Sequence, residues 1–482
     1  MIENKKLEFY GGEWMSFIPF VVFLVLIIST TFIAGSISDG ALWIPAFMAL
    51  IVAFFFAKDK GIFSDVIVSG MASKASIIPI VCWIFAGVFS RILRESGLAQ
   101  SIAGVAASME IKGTLFIVVA FIASAVFATA SGTGFGTIAM GMGVLYPAGI
   151  ALGAYPALLA GAIISGGAFG DNLAPVSDTT ICSATSQGVD VAGVVKSRLK
   201  YALVAAGLTI VGILIFGMTI KGPGTPNVAL DYSPTALLML IPVALTIYVA
   251  IKTSDIIVAT TIGSVIAGAT AVLIGSIDFI QIDPGSEVTK NALFRVVGEG
   301  LDRTVDGVIY TGINSMMQVV VLALLLFGSI AIMRAGHGDQ KLLSALGSVA
   351  KTVKSAELTI AGMVLSLSAL MGLNAPAILA VGSSFAKPLA KKFKISPYRT
   401  ANLLDATSCT LVYSLPWTPA IIYTIGFAKD GAHPLTALEV TPFVFYAYAM
   451  LAVMLVSIFL GVGKNDNMTE ASVEEFYKNE IE

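Results

Sequence analysis

The sequence predicts an all-α polytopic membrane protein made of two inverted repeats, each carrying a re-entrant hairpin and a broken helix. Three observations carry this. The chain is 57% hydrophobic, with a mean hydropathy of +0.91 and only 12% charged residues. It resolves into a series of apolar runs of spanning length. Three of its prolines recur at one fixed offset.

A soluble chain carries about a quarter charged residues. With 12% charged over 482 residues, the apolar side chains exceed what a water-facing domain buries, so lipid must solvate much of the surface. A net charge of −2 excludes nucleic acid as a partner, because neutralising phosphates takes a basic face. Cys82, Cys182 and Cys409 lie among apolar or small residues without metal-ligand spacing and read as packing residues. No cofactor is expected. Lys5 and Lys6 are mixed with Glu3, Glu8 and Glu13, and the run Phe17 to Ala34 has no small-residue cleavage site. It reads as a retained first span rather than a signal peptide.

A span needs roughly 20 apolar residues. Such runs fall near 15–34, 41–57, 76–93, 113–146, 156–187, 201–220, 235–251, 256–275, 313–333, 358–386, 398–427 and 438–462. Two of them, 113–146 and 358–386, are too long and glycine-rich for a plain span and read as hairpins that enter and leave on one side. The amphipathic stretches 97–111 and 340–355 precede them and suit helices lying at the interface. Lys58, Lys60, Lys196, Arg198, Lys200, Lys252, Arg334, Lys341, Lys387, Lys391, Lys392, Lys394 and Arg399 then fall on the cytoplasmic side, as loop charge requires. Both termini are expected in the cytoplasm, the loops 35–40, 221–234, 276–312 and 429–437 outside, and the protein in the cell (inner) membrane. Arg91 and Arg94 fall outside, against the rule.

Pro147, Pro156 and Pro175 recur as Pro388, Pro397 and Pro416, each 241 positions later, and Gly141 recurs as Gly382. Three prolines in one register mark an internal repeat. Ala148 to Tyr155 carries no charge, whereas its counterpart, Leu389 to Ser396, holds three lysines. The two loops therefore belong on opposite sides, which makes the repeat inverted. On this reading 1–200 is the first repeat, 201–234 a linking span and loop, 235–428 the second repeat, and 429–482 a final span and cytoplasmic tail.

Each repeat breaks its helices in two places. The first has Ser131-Gly132-Thr133-Gly134-Phe135-Gly136 at the hairpin turn and Gly170 to Thr180, with Pro175, in the next span. The second has Gly372-Leu373-Asn374-Ala375-Pro376 and Leu415-Pro416-Trp417-Thr418-Pro419. Proline and glycine in a bilayer free backbone groups that a cavity or ligand must satisfy. Half-helix C-termini aim carbonyls at a cation, and N-termini aim amides at an anion. The site is expected where the four breaks meet. Gly161, Gly166 and Gly167 read instead as close helix packing.

Asp171, Asp178 and Asp405 fall inside spans, where an ionised group costs on the order of 3 kcal/mol. The bland explanation is pairing with a basic residue; 156–187 contains none, and 398–427 holds only Arg399, at its cytoplasmic end. Asp178, beside Ser177, Thr179 and Thr180, is the first choice for a Na+ ligand. Asp171 is either a second Na+ ligand or a helix cap, and Asp405 lies one to two turns after Pro397, within approach of the Asp171 region. Ser131, Thr133, Gly134, Asn172, Asn374, Trp417 and Thr418 complete the expected ion- or substrate-binding set. Hard oxygens with one or two carboxylates suit a monovalent cation, and a carboxylate also exchanges protons. Competition between the two ions is the simplest basis for antiport.

The run Gly170-Asp171-Asn172-Leu173-Ala174-Pro175-Val176-Ser177-Asp178-Thr179-Thr180 resembles the glycine-aspartate…proline-leucine-serine-aspartate-threonine-threonine signature of the NhaC-type sodium/proton antiporters. Ser396 to Asp405, followed by Leu415-Pro416-Trp417-Thr418, resembles that family's later motif, and the resemblance covers most of the chain. It implies the architecture of the ion-transporter superfamily, with a scaffold and a transport domain, elevator-like alternating access, a homodimer, and Na+ and/or H+ as coupling ions. Members of the family also exchange carboxylates such as malate and lactate. The chain departs from the pattern in several places. Asn172 stands where the antiporters often have lysine, and Leu404 precedes Asp405 where an acidic pair is usual. The turn reads Gly132-Thr133-Gly134-Phe135-Gly136 rather than glycine-threonine-serine-tryptophan-glycine, and Thr418 replaces a common asparagine.

The expected function is therefore a secondary active transporter, with Na+/H+ antiport or Na+-coupled exchange first and coupled transport of an amino acid or dicarboxylate as the alternative. An intramembrane aspartyl protease would also place two carboxylates, such as Asp171 and Asp405, in the bilayer. Its glycine-x-glycine-aspartate signature needs glycine where Ala168 stands. His337 and His433 read as loop residues and no nucleophile elbow is present, so no enzymatic activity is expected. A passive channel would share the spans and breaks; only uphill movement separates it from a transporter.

Overall fold

In lipid every backbone group must be satisfied within the chain, which favours helices. The structure is a computed structural model, described here over residues 6–34, 39–175, 177–220, 233–253, 255–283, 291–298, 300–347, 350–429 and 433–479. Val176 and most of the loops 35–40 and 221–234 lie outside the described residues.

The chain opens on α1 (Ile18–Ala34), α2 (Asp39–Phe56), the short α3 (Lys60–Met71) and α4 (Lys74–Glu95). Next come α5 (Leu98–Ser108) and α6 (Gly113–Ser131), bent by 119° from one another. The stretch expected at the interface thus lies across the first limb of the hairpin. The chain turns at Gly132 and Thr133 and returns as α7 (Gly134–Met140), a π turn (Gly141–Leu145) and α8 (Tyr146–Ala151). Then α9 (Pro156–Leu173) and α10 (Asp178–Gln187) form the broken helix. They are followed by α11 (Val191–Thr219), α12 (Leu240–Thr253) and α13 (Ile256–Leu273).

The region expected as a plain loop at 276–312 holds a small sheet. In it β1 (Asp278–Asp283) pairs parallel with β2 (Ala292–Val297), and β2 pairs antiparallel with β3 (Thr304–Asp306). After α14 (Val308–Ala335) come α15 (Gly338–Gly347), α16 (Val353–Met371), α17 (Asn374–Val381), a π turn (Gly382–Ala386) and α18 (Lys387–Phe393). The second broken helix is α19 (Pro397–Ser414) with α20 (Pro419–Ala428); α21 (Ala437–Val440), α22 (Phe445–Leu460) and α23 (Glu470–Asn479) end the chain.

The order α4 to α10 recurs, element for element, as α14 to α20. Gly132 and Gly372 turn the two hairpins with φ 72 and φ 63, a left-handed conformation that glycine adopts without strain. The hairpin turns are 240 positions apart and the π turns 241, because α17 has 8 residues where α7 has 7. Among the described residues six helices are long and apolar enough to cross a membrane, or eight if two bent pairs count as spans. The chain is an all-α polytopic membrane protein.

The hairpins and broken helices pack on one another together with α11 and α22, while α14 lies against α2, α3 and α4, and α13 against α4 and α12. The two groups meet where α4 touches α7 and α14 touches α20. Small residues set the closest approach. A Cβ on Gly166 would meet Ser124 Cβ at 2.4 Å, and one on Gly161 would meet the Phe443 carbonyl oxygen at 2.4 Å. Both glycines therefore serve packing, as expected. Arg91 and Arg94, the exceptions to the charge rule, are partnered: Arg91 pairs with Glu95 at 2.9 Å, and Arg94 donates to the Phe427 carbonyl at 3.2 Å.

Candidate functional site

Proline at 175 has no amide to continue the helix, so α9 stops at Leu173 and α10 restarts at Asp178. The tip of the first hairpin lies against this break. A Cβ on Gly167 would meet the Gly134 carbonyl oxygen at 3.0 Å, and one on Gly134 would meet the Tyr413 hydroxyl at 2.0 Å and the Asp171 carboxylate at 2.8 Å. Only glycine at 134 leaves room for that contact. Buried Asp171 accepts from the Gly134 amide at 2.9 Å and from the Tyr413 hydroxyl, and the Phe135 ring stacks on Tyr413 at 6.1 Å. The carboxylate thus sits on the first amide of α7, where free N–H groups favour an anion. It ties the hairpin to α9 and, through Tyr413, to α19.

The Asp171 carbonyl accepts from the Thr179 and Thr180 hydroxyls at 3.2 and 3.4 Å, and the Ser177 and Thr179 hydroxyls are 3.0 Å apart. These bonds carry the chain across the gap. Asp178 opens α10 with an exposed side chain, on the same face of that helix as exposed Ile181 and Thr185. Thr133 caps α7, its hydroxyl accepting from the Gly136 amide at 3.1 Å. Ser131 ends α6, and its side chain lies outside the described residues.

The expectation that these carboxylates have no basic partner fails at Asp405. Arg198 Nη1 donates to Asp405 Oδ2, with both side chains 0% exposed. The same guanidinium donates to the Asn172 carbonyl at 2.6 Å, to Thr180 Oγ1 at 3.3 Å and to Asn402 Oδ1 at 3.2 Å. Ser183 donates to Asp405 at 3.4 Å, and the Cys409 thiol faces its other oxygen at 3.6 Å. The Asn374 amide donates to Cys409 Sγ at 2.9 Å. Arg399, also expected in a cytoplasmic loop, is 0% exposed and paired with Glu357 at 3.0 Å. Charge counting grouped Arg198 with Lys196 and Lys200, but α11 begins at Val191 and buries one stripe, Val194, Ser197, Arg198, Tyr201, Ala202 and Ala205. Lys196 and Lys200 fall on its exposed side. The i, i+3, i+4 spacing of that stripe is the signal that separates Arg198 from its neighbours.

The second break is chemically plainer. Trp417 donates to the Ala369 carbonyl at 3.2 Å, which ties the break to α16 of the second hairpin, and the Thr418 hydroxyl donates to the Leu415 carbonyl at 2.7 Å, across the gap itself. At the 241 offset Asp171 corresponds to Val412, Asp178 to Pro419 and Asn172 to Tyr413. The structure therefore brings Gly134, Asp171, Ser177 and Thr179 into one cluster and Asn374 and Asp405 into an adjoining one. The Thr180 hydroxyl joins them, since it lies near both the Asp171 carbonyl and Arg198. Asn172 contributes its carbonyl to the second cluster, while Asp178, Thr133, Trp417 and Thr418 stand apart. Tyr413, Arg198, Asn402, Ser183 and Cys409 were absent from the expected set. Tyr413 was reachable in principle, being the repeat partner of Asn172.

The model of the Na+/H+ antiporter family matches residues 11–218 and 225–462. The Na(+)/H(+) antiporter NhaC of Alkalihalophilus pseudofirmus is 23% identical over 447 residues, covering 88% of this chain and 92% of that protein. The malate-2H(+)/Na(+)-lactate antiporter of Bacillus subtilis is 27% identical over 212 residues, 41% of this chain and 43% of that protein, so this alignment spans less than half of either. Among solved structures, the Alcanivorax borkumensis YdaH transporter aligns over 94% of this chain and 99% of its own at 14% identity, with a TM-score of 0.41. The family match takes in both hairpins, both breaks and Arg198. With nearly the whole chain matched, the protein belongs to the Na+/H+ antiporter family.

Proposed function

We propose that this secondary active transporter exchanges Na+ for H+ at the first break, with Asp178 as the carboxylate that binds either ion. The carrying observation is how the three carboxylates are engaged. Asp405 is neutralised by Arg198, and Asp171 is held by the Gly134 amide and the Tyr413 hydroxyl. Asp178 alone is exposed, and its neighbours in sequence, Ser177 and Thr179, bring hydroxyls to the same break, bonded there on the buried Asp171 side. A carboxylate with flanking hydroxyls is a hard-oxygen site for a monovalent cation, and Asp171 supplies its carbonyl and the fixed geometry next to it.

Moving an uncompensated carboxylate through the bilayer costs on the order of 3 kcal/mol. Either Na+ or a proton on Asp178 removes that cost, whereas the empty site pays it in full. The loaded forms cross and the empty form does not, which makes exchange obligatory. The hairpins and broken helices form the moving part, and α1 to α4 with α12 to α14 the scaffold, in an elevator-like motion of a homodimer. The two repeats have opposite orientation, both termini face the cytoplasm, and the protein resides in the inner membrane. Na+ and H+ serve as coupling ions, and no cofactor takes part.

In liposomes a Na+ gradient should drive an opposing pH change, and acidification should raise the KM for Na+ while leaving the maximal rate unchanged. Asp178→Asn should abolish the exchange in a protein that still folds. Wild-type rates in that variant would overturn the assignment. One observation favours organic-solute exchange as a second reading: Arg198 Nη2 and Asn172 Oδ1 are buried without partners among the described residues, a donor suited to a carboxylate and an acceptor suited to the hydroxyl of a hydroxy acid. Thermal stabilisation by malate or lactate, and none by Na+, would put that reading first.

A further inference from the structure

We propose that Asp466, in the tail after the last span, is a positioning residue for the Arg198–Asp405 pair that adjoins the ion site: through Asn402 it sets how Arg198 lies on Asp405 and on the Asn172 carbonyl and Thr180 hydroxyl of the first break. After α22 the chain reverses at Gly463 (φ 91), where a Cβ would meet the Tyr201 hydroxyl at 2.0 Å and the Asp466 carboxylate at 3.0 Å. The reversal drives Asp466 inward, and its side chain is 1% exposed. There it accepts from Lys200 at 2.6 Å, from Tyr201 at 3.0 Å and from the Asn402 amide at 3.3 Å. Its carbonyl also accepts from Ser396 at 2.8 Å, at the start of the second broken helix.

Asn402 is what turns this contact into a link to the site. Its Nδ2 faces two acceptors, Asp466 Oδ2 and Ser197 Oγ at 2.8 Å, while its Oδ1 accepts from Arg198 Nε at 3.2 Å. An amide has donors on one side and an acceptor on the other. The Asp466 carboxylate can only accept, so it fixes which side of Asn402 faces Arg198. With Asn402 reversed, its NH2 group would confront the guanidinium, two donors with no acceptor between them. The path runs Asp466, Asn402, Arg198, Asp405, Cys409 over described hydrogen bonds, all buried beyond the tail itself.

The tail has anchors other than Asp466. Val473 and Tyr477 of α23 are buried against Ala350, Ala356, Ala390 and Ile395, the Tyr477 hydroxyl donates to the Ile395 carbonyl at 3.0 Å, and Lys394 pairs with Glu474. A buried carboxylate is costly to keep, and here it is kept where it orients the amide next to Arg198. The link itself is read from geometry alone, and only its consequence for transport rests on the ion-exchange assignment.

The test uses full-length protein carrying Cys82→Ser and Cys182→Ser, so that Cys409, at the far end of the path, is the single thiol. Loss of a charge-assisted hydrogen bond is worth about tenfold in an equilibrium. Asp466→Asn is therefore expected to speed alkylation of Cys409 by about tenfold and to raise the KM for Na+ by a similar factor, with the maximal rate little changed. Asn402→Ser, which keeps the tail carboxylate and removes the bridge, should do the same and serves if Asp466→Asn fails to fold. Glu474→Gln, which loosens the tail without touching the path, should leave both readouts at wild-type values. Faster Cys409 alkylation in a protein whose transport ignores Na+ would uphold the link and sink the Na+ assignment. Unchanged alkylation and KM in a folded Asp466→Asn or Asn402→Ser protein, or an equal change in Glu474→Gln, would overturn the proposal.

Discussion

The two broken helices have the same shape and opposite contents. Each starts on a proline, ends its first half after 18 residues and resumes with a 10-residue half-helix. At the first gap the side chains are carboxylate and hydroxyl: Asp171, Ser177, Asp178 and Thr179. At the second gap the Trp417 and Thr418 side chains donate to backbone carbonyls, those of Ala369 and Leu415. The polar contribution of the second half comes instead from within α19, where Asp405 meets Arg198 and Tyr413 meets Asp171. A duplicated fold thus keeps its backbone breaks while chemistry concentrates in one of them, and the other half holds that chemistry in place.

Breaking the support should cost more than disturbing the plain gap. Arg198→Ala leaves Asp405 buried without its cation, an event worth about 3 to 5 kcal/mol; folded protein recovered in detergent should fall sharply. Arg198→Met combined with Asp405→Leu, which removes both charges, should recover much of it. Tyr413→Phe takes one donor from Asp171 and should lower stability by about 1.5 to 3 kcal/mol, the range for a hydrogen bond to a charged group, read as a fall in thermal midpoint. Trp417→Phe removes one neutral bond at the second gap and should cost only about 0.5 to 1.5 kcal/mol. If Trp417→Phe proves as damaging as Tyr413→Phe, the contrast between the two breaks is wrong.

The repeat, the hairpins and the positions of both breaks were legible in the sequence because proline and glycine act locally and recur at a fixed spacing. The one-residue slip between 240 and 241 was not, since it is absorbed in α17, where no proline of the matched set falls. Arg198 and Arg399 were missed for a physical reason. The positive-inside rule counts charges along the chain, whereas burial follows the face of a helix, and α11 begins early enough to turn Arg198 inward. The partner of Arg198 is 207 positions away, and no local pattern announces a pairing of that range. The carboxylates themselves could be picked out by their depth in apolar runs, but which of them was already engaged could not. Likewise the sheet at β1 to β3 is formed from short strands within the stretch 276–312, which reads as an outside loop.

The most direct test of the contrast is Na+ binding measured without transport, as the thermal midpoint of purified protein against rising Na+. Wild type and Trp417→Phe should both be stabilised with the same half-saturating concentration, and Asp178→Asn should show no Na+-dependent shift. Stabilisation of Asp178→Asn at the wild-type midpoint, or its loss in a folded Trp417→Phe protein, would contradict the placement of the ion at the first break.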